Sequence, residues 1–333
     1  MLVNDHGANA SSIGVVVIGR NEGERLRKCL ASGVREVSRI IYVDSGSTDD
    51  SVTLARHLGI EAMELDRSAP FSAARARNEG FRRLRQIDQK LHYVQFVDGD
   101  CELTDGWLET AAEFLREHKD TAVVSGKLRE KYPENSIYNT LCDIEWDVPA
   151  GEVKDCGGIA MMRTDAFERV QGFRVDLIAG EEPELCVRMR QQGWRIWRLT
   201  QEMALHDSAM MRFGQWWKRE RRAGHAFAEG AELHGAAPER HYVREFRSAL
   251  FWGLGVPLVA MALLCSIGPI GLLVLVIYPL QVVRLALRGT RSTRENWLRA
   301  VFLVISKIPQ VLGEVQFYIR RALGLQSRLI EHK

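Results

Sequence analysis

Three polar clusters stand where the chain leaves an apolar run. Arg20-Asn21-Glu22 follow Ile13–Ile18, Asp44–Asp49 follow Arg39–Val43, and Asp98-Gly99-Asp100 follow Tyr93–Val97. Asp98 and Asp100, two residues apart, approach one point if the strand ends at Gly99. Paired hard oxygens of this kind suit Mg2+ or Mn2+ shared with a substrate phosphate. Asp-Gly is also common turn chemistry, and alone the pair reads more readily as a polar turn. A second acidic pair, Glu181-Glu182, precedes Pro183. With Pro as the first helical residue, Glu182 becomes the cap, where the helix dipole favours an acid. The same geometry would fix a carboxylate able to act as a base.

The elements that must position these groups alternate. Ile13–Ile18 is continuously apolar, as expected of a parallel strand covered on both faces. Strands at 39–43, 60–65 and 93–97 and helices at 24–30, 49–58 and 71–86 complete a βαβα rhythm, which implies a mostly parallel sheet. Ligands bind such sheets outside the carboxyl ends of the strands, where the polar clusters stand. Gly14, Gly19 and Gly23 do not match G-x-G-x-x-G, and G-x-x-x-x-G-K-[ST] is absent. A dinucleotide oxidoreductase and a P-loop NTPase are therefore disfavoured.

In order, VVVIGRNEGERLRKCL, IIYVDSGSTDDSVTLA, AARARNEGF, VQFVDGDCEL and AGEEPELCVRMRQQGWRIW resemble the sequence blocks of family 2 glycosyltransferases, over roughly residues 13–206. The tail GEVQFYIRRALGLQSRLIEHK is similar to that of membrane-associated bacterial members. The resemblance implies an α/β GT-A fold, a Rossmann-like catalytic domain, and a nucleotide-diphosphate-sugar donor. By this resemblance Glu22 and Asp44 hold the base and ribose. As strand-end acceptors they suit base N–H and ribose hydroxyls, and they equally suit capping and Asx-turns. Arg75 and Arg77, two apart on a helix, point about 200° from each other. Only one is expected to face the donor, and Arg75 is preferred.

Asp98 and Asp100 match the family's D-x-D. There the second carboxylate binds the metal directly, and the first contacts ribose or a metal-bound water. His206 matches a histidine that completes the metal site. Glu181-Glu182 matches the family's E-D motif with Glu in the second place; alignment favours Glu182 over Glu181 as the base of an inverting displacement. Gln215-Trp216-Trp217-Lys218-Arg219 resembles a degenerate Q-x-x-R-W of processive synthases, which implies a single transfer here. Trp216 and Trp217 could stack on an acceptor sugar, meet the membrane interface, or pack in a core.

From Ser248 to Val283 there is no Asp, Glu, Lys or Arg, a run of 36 residues. One helix of that length would span about 54 Å, against a hydrocarbon core of ~30 Å. Two spans broken at Ser266–Gly271 fit better, with basic flanks (Arg240, Arg244, Arg247, then Arg284, Arg288, Arg291) that place both ends in the cytoplasm. A pair of buried core helices is the alternative. Trp297–Gly313 reads as an interfacial amphipathic helix. The 333-residue chain carries a net charge of +2, which argues against a nucleic-acid partner. The charge is uneven: residues 284–333 hold ten Lys or Arg against three Asp or Glu. Six cysteines without C-x-x-C spacing argue against a zinc ribbon or redox pair. MLVNDHGANASS lacks the regions of a signal peptide, so a cytoplasmic face of the inner membrane is expected.

The expected organisation is a tail (1–12), a GT-A catalytic domain (13–206), an interfacial, acceptor-side helical segment (207–247), a membrane hairpin (248–283) and a basic amphipathic segment (284–333). The expected activity is metal-assisted transfer of a sugar to a membrane-associated, lipid-linked glycan acceptor, as in polysaccharide biosynthesis. A nucleotidyltransferase on a similar sheet and a non-catalytic membrane adaptor are the alternatives. The acidic residues an adaptor could dispense with, Asp98, Asp100 and Glu182, are all present.

Overall fold

The computed structural model describes residues 12–325. The expected N-terminal tail, apart from Ser12, and the last eight residues of the basic segment lie outside the described residues. The chain divides into two units. One gathers residues up to 132, 145–176 and 181–208; the other gathers 133–144, 177–180 and residues from 209 onward.

The first unit is built on β1 (Ile13–Gly19), α1 (Glu24–Ala31), β2 (Ile40–Asp44), α2 (Ser51–His57), β3 (Glu61–Glu64), α3 (Ala73–Ile87) and β4 (Tyr93–Asp98). Val15, Val16 and Val17 of β1 are fully buried, because α1 covers one face of the sheet and α3 the other. Gly80 on α3 permits the close approach: a Cβ there would fall 2.4 Å from Val16 Cγ1. β1 pairs in parallel with β2 and β4, and β2 with β3.

Beyond β4 the sheet changes character. β5 (Cys101–Leu103), α4 (Trp107–Glu117), β6 (Thr121–Glu130), α5 (Ile137–Trp146), β7 (Gly151–Val153), β8 (Ala160–Arg163), α6 (Thr164–Arg169), α7 (Glu181–Gln191) and β9 (Arg195–His206) follow in chain order. The strand order is β3-β2-β1-β4-β8-β6-β9-β5, with β7 also on β9. β8 runs antiparallel to both β4 and β6, and β5 and β7 run antiparallel to β9. The sheet is therefore mixed rather than mostly parallel. The βαβα rhythm ends at β4, and short strands without a full helical crossover return antiparallel.

The second unit is helical: most of α5, then α8 (Phe213–His234), α9 (Val243–Leu250), α10 (Val256–Ile267), α11 (Ile277–Leu287), α12 (Thr293–Ile305) and α13 (Lys307–Ala322). The stretch Val243–Leu287 is long and apolar enough to cross a membrane. It is not straight. Gly268, at φ +74, reverses the chain inside the expected Ser266–Gly271 break. A Cβ on Gly271 would lie 2.5 Å from the Leu263 carbonyl carbon, and Tyr278 Oη donates to the Trp252 carbonyl. The two arms thus lie side by side as a helical hairpin.

Trp297–Gly313 does not end as the interfacial helix expected from its sequence. The backbone stays helical at Ser306, between α12 and α13, but α13 buries Val311, Gly313, Glu314 and Phe317. It lies along α8 in backbone contact. A Cβ on Gly224 would meet Gln310 O at 1.9 Å, and one on Gly313 would meet Arg221 O at 2.0 Å.

Candidate active site

The loops after β1 and β2 are tied to each other. Asn21 adopts φ +56; its Oδ1 accepts the Thr48 N–H at 2.7 Å, and its own N–H donates to Ser47 Oγ at 2.8 Å. The Gly23 N–H reaches Ser51 Oγ at 3.2 Å. Asp44 is buried and builds its own loop: Oδ2 accepts the N–H groups of Gly46 at 2.9 Å and Ser47 at 2.7 Å, and Oδ1 accepts the hydroxyls of Tyr42 and Ser47. Glu22 is also buried and pairs with Arg25 at 2.7 Å. Both residues stand at the strand ends where the sequence puts them. Asp44 shapes its loop, as the turn-forming alternative requires, whereas Glu22 is held by Arg25 and α1 has no side-chain cap.

A second cluster gathers around Arg77, whose side chain is 2% exposed. Its Nη1 lies 2.5 Å from Glu182 Oε1 and 3.4 Å from Glu181 Oε1, and its Nη2 lies 2.9 Å from Asp98 Oδ1. The guanidinium also stands over the Phe173 ring, 5.5 Å from its centroid. Three carboxylates around one cation leave surplus negative charge in a buried place. Burial, then Glu181, then Asp98 push the Glu182 carboxyl up to about 7 against the pull of Arg77. Gly158 faces this cluster. A Cβ there would sit 2.6 Å from Arg77 Nη2 and 3.1 Å from both Asp98 Oδ2 and Glu182 Oε1.

The two arginines of the motif part company: Arg77 is buried in the acidic cluster, and Arg75 is not. Arg75 is turned to the start of α3, where its Nη1 donates to the Ala69 carbonyl at 2.8 Å. The buried face of α3 runs through Ala74, Arg77, Phe81 and Leu84. That i, i+3, i+4 stripe was the signal that could have selected Arg77. Helix α7 begins at Glu181, so Glu182 lies within its first turn instead of capping it.

The third cluster comes from pairing β5 with β9, which sets Cys101 opposite His206. The Asp207 N–H donates to Asp100 O at 3.0 Å, and His206 Nε2 lies 3.2 Å from Asp100 Oδ2. Donor atoms of Asp100, Cys101 and His206 all lie within 4.8 Å of one another. A carboxylate oxygen and an imidazole nitrogen suit a borderline divalent ion. The buried Cys101 thiol donates to Asp100 Oδ1 at 3.6 Å, and so supports the carboxylate. Asp98 lies outside this group, with its Oδ1 on Arg77. Two neighbours escaped sequence reasoning. The Trp146 ring lies 4.7 Å from that of His206. Buried Glu130 accepts the N–H groups of Tyr132 and Ser208, each at 3.2 Å.

The Gln215–Arg219 segment does different work from its motif. Gln215 Oε1 accepts the N–H groups of Met211 and Arg212, so this side chain closes the start of α8. Trp216 is buried against Phe213 and edge-on to Phe302 at 4.9 Å, and it has no open face for a sugar. Trp217 is half-buried beside Phe213.

These acidic strand ends coincide with a sequence match. The profile of Glycosyl transferase family 2 covers residues 14–170. Residues 14–170 are a family 2 glycosyltransferase domain. A TPR repeat-containing protein of Synechococcus elongatus is 25% identical over 181 residues, which are 52% of this chain and 42% of that protein. The chain thus spans less than half the length of that curated relative. The mannosyltransferase PcManGT of Pyrobaculum calidifontis, solved with GDP-Man and Mn2+, is similar with a TM-score of 0.59 and 15% identity, over 91% of this chain and 87% of that one. TarS 1–349 of S. aureus is similar with a TM-score of 0.52 and 15% identity, over 94% and 92%. At such identity the likeness of the glycosyltransferase domain to these structures is one of fold.

Proposed function

We propose that this chain is an inverting glycosyltransferase that moves a sugar from a nucleotide-diphosphate-sugar to the hydroxyl of a membrane-associated, lipid-linked glycan. The observation that carries this reading is Glu182, held by Arg77 with its carboxyl pushed up to about 7, in a chain whose domain is of family 2. A base whose pKa is raised towards neutrality is well matched to proton transfer. Glu182 takes the acceptor proton as the acceptor oxygen attacks the anomeric carbon. The bond to the diphosphate oxygen breaks in the same step, and the anomeric centre inverts.

The loops carrying Glu22 and Asp44 receive the nucleotide, and Arg77 takes the place the sequence suggested for Arg75. Asp98 joins the donor pocket to Arg77. Asp100 and His206 would hold a divalent ion, Mn2+ or Mg2+. Bound there, it would neutralise charge on the departing diphosphate. The membrane part of the reading rests on the hairpin, whose Leu258, Leu273 and Leu280 are exposed. An antiparallel hairpin returns its ends to one side, and the flanking arginines favour the cytoplasmic face.

The test is a screen of nucleotide sugars on detergent-purified protein, read by product release. Release of nucleoside diphosphate is expected; release of pyrophosphate would instead mark a nucleotidyltransferase. Salt should not extract the protein from membranes, whereas detergent should.

A further inference from the structure

The seam between α8 and α13 opens into a groove of about 380 Å3, lined by Arg221, Leu312, Val315, Gln316, Ile319 and Arg320. Its floor is apolar and open to solvent. Leu312, Val315 and Ile319 follow at i, i+3 and i+7 on one face of α13 and are 46%, 39% and 54% exposed. Its rim is cationic. Arg221 reaches Gln316 Oε1 through Nε at 3.0 Å and Nη2 at 2.6 Å. Arg320 Nε is buried with no hydrogen-bond partner. Among the described residues neither arginine has a carboxylate within ion-pair distance, whereas Arg219 pairs with Glu220 and Arg321 with Glu232. Two uncompensated cations beside an apolar trough match an anion that carries a hydrocarbon tail.

We propose that this groove binds one anionic phospholipid. Its phosphate sits between Arg221 and Arg320, and an acyl chain lies over Leu312, Val315 and Ile319. Charge complementarity selects the headgroup. A zwitterionic lipid offers the same phosphate but brings a quaternary ammonium towards two arginines. The apolar floor excludes a free phosphate as the preferred ligand, since the exposed leucine, valine and isoleucine gain nothing from it. The surplus of basic residues in 284–333 adds to the attraction. The proposal rests on the membrane reading of the hairpin. Failure of that reading would show as monodisperse protein without detergent. Failure of the groove would show as detergent-requiring protein indifferent to headgroup.

The experiment uses the full chain in a neutral detergent and follows its melting temperature against dioctanoyl phosphatidylglycerol, dioctanoyl phosphatidylcholine, glycerol 3-phosphate and farnesyl phosphate. Phosphatidylglycerol should bind roughly 10-fold or more tightly than phosphatidylcholine, from two arginines near the phosphate. Glycerol 3-phosphate should have no effect. Arg221→Gln and Arg320→Gln should each weaken phosphatidylglycerol about 5-fold, and Leu312→Gln should weaken it while leaving the headgroup preference. Equal affinity for the two lipids, or an undiminished preference in both arginine variants, would overturn the proposal. So would glycerol 3-phosphate binding as well as phosphatidylglycerol. Farnesyl phosphate binding 10-fold more tightly than phosphatidylglycerol would assign the groove to a polyprenyl acceptor and overturn it as well. If Arg320→Gln does not fold, Arg221→Gln and Leu312→Gln decide the question.

Discussion

Arg77 Nη1 lies 2.5 Å from Glu182 Oε1, across 105 residues of sequence. The same guanidinium holds Asp98 at 2.9 Å, so one buried cation links the proposed base to the strand-end acid. The rate and the stability of the enzyme should both depend on pH through this contact.

A Glu182 carboxyl raised to about 7 from 4.5 is protonated, and inactive as a base, below that value. The rate should rise tenfold per pH unit below about 7 and level off above it. The stability effect has the opposite sense. The folded state binds the proton more tightly than the unfolded state, so stability falls as pH rises from about 4.5 through about 7. Glu182→Gln should remove the pH dependence and lower the rate by about 10² or more, with donor affinity within a few fold. Asp98 and Glu181 still neutralise Arg77 in that variant, so it should melt no lower than the parent at pH 8. Pre-steady-state turnover and calorimetry at pH 6 and pH 8 check both; normal turnover of Glu182→Gln with a dead Glu181→Gln would move the base to Glu181.

Lysine cannot replace Arg77. Its single ammonium cannot reach both Asp98 and the Glu181-Glu182 pair, whereas the guanidinium fork does. Arg77→Lys should shift the midpoint of the pH–rate profile to higher pH, because the pull on Glu182 weakens. Arg77→Gln leaves buried Glu181, half-buried Glu182 and partly exposed Asp98 without their buried cation and should cost about 3 kcal/mol of stability. Arg75→Gln should alter donor affinity by less than about twofold, in keeping with the surface-substitution range. Isothermal titration and thermal melts separate these outcomes.

Metal dependence should divide the D-x-D pair. Asp100→Ala and His206→Ala should abolish Mn2+ binding measured on the resting protein, since their Oδ2 and Nε2 stand 3.2 Å apart. Asp98→Asn should keep the metal and weaken the donor site, because its Oδ1 is committed to Arg77. Mn2+ titration by electron paramagnetic resonance reads this without turnover. Retained Mn2+ binding in Asp100→Ala would refute the assignment, as would full activity in EDTA.

Gly158 is predicted to be intolerant of a side chain. A methyl group there would press on Arg77 Nη2 from 2.6 Å, and three carboxylates pin that nitrogen's group in place. Gly158→Ala should lower the rate about 10²-fold, as a displacement approaching 1 Å does. Gly157→Ala meets nothing within 4 Å and should be near neutral. Comparing the two variants isolates the close approach from the flexibility of a double glycine.

Local signals in the sequence were enough for the chain's plan. The apolar run of β1 marks a strand buried on both faces, because only such a strand can dispense with polar residues. The polar clusters after β1, β2 and β4 stand at the carboxyl ends of parallel strands, where sheets of this kind bind their ligands. The charge-free run and its glycine-proline break mark a hairpin, which Gly268 then turns. Tertiary structure decided which side chains meet. Arg75 and Arg77 share one motif, and the periodicity of α3 marks Arg77 as inward, but only packing brings it to Asp98 and Glu182. Asp100 and His206 are joined by the β5–β9 register, a pairing across more than a hundred residues that no local pattern encodes. Trp216 looked available for a sugar until Phe213 and Phe302 covered it. Composition and periodicity report what a residue does to its own element; contact between distant elements is a property of the packed whole.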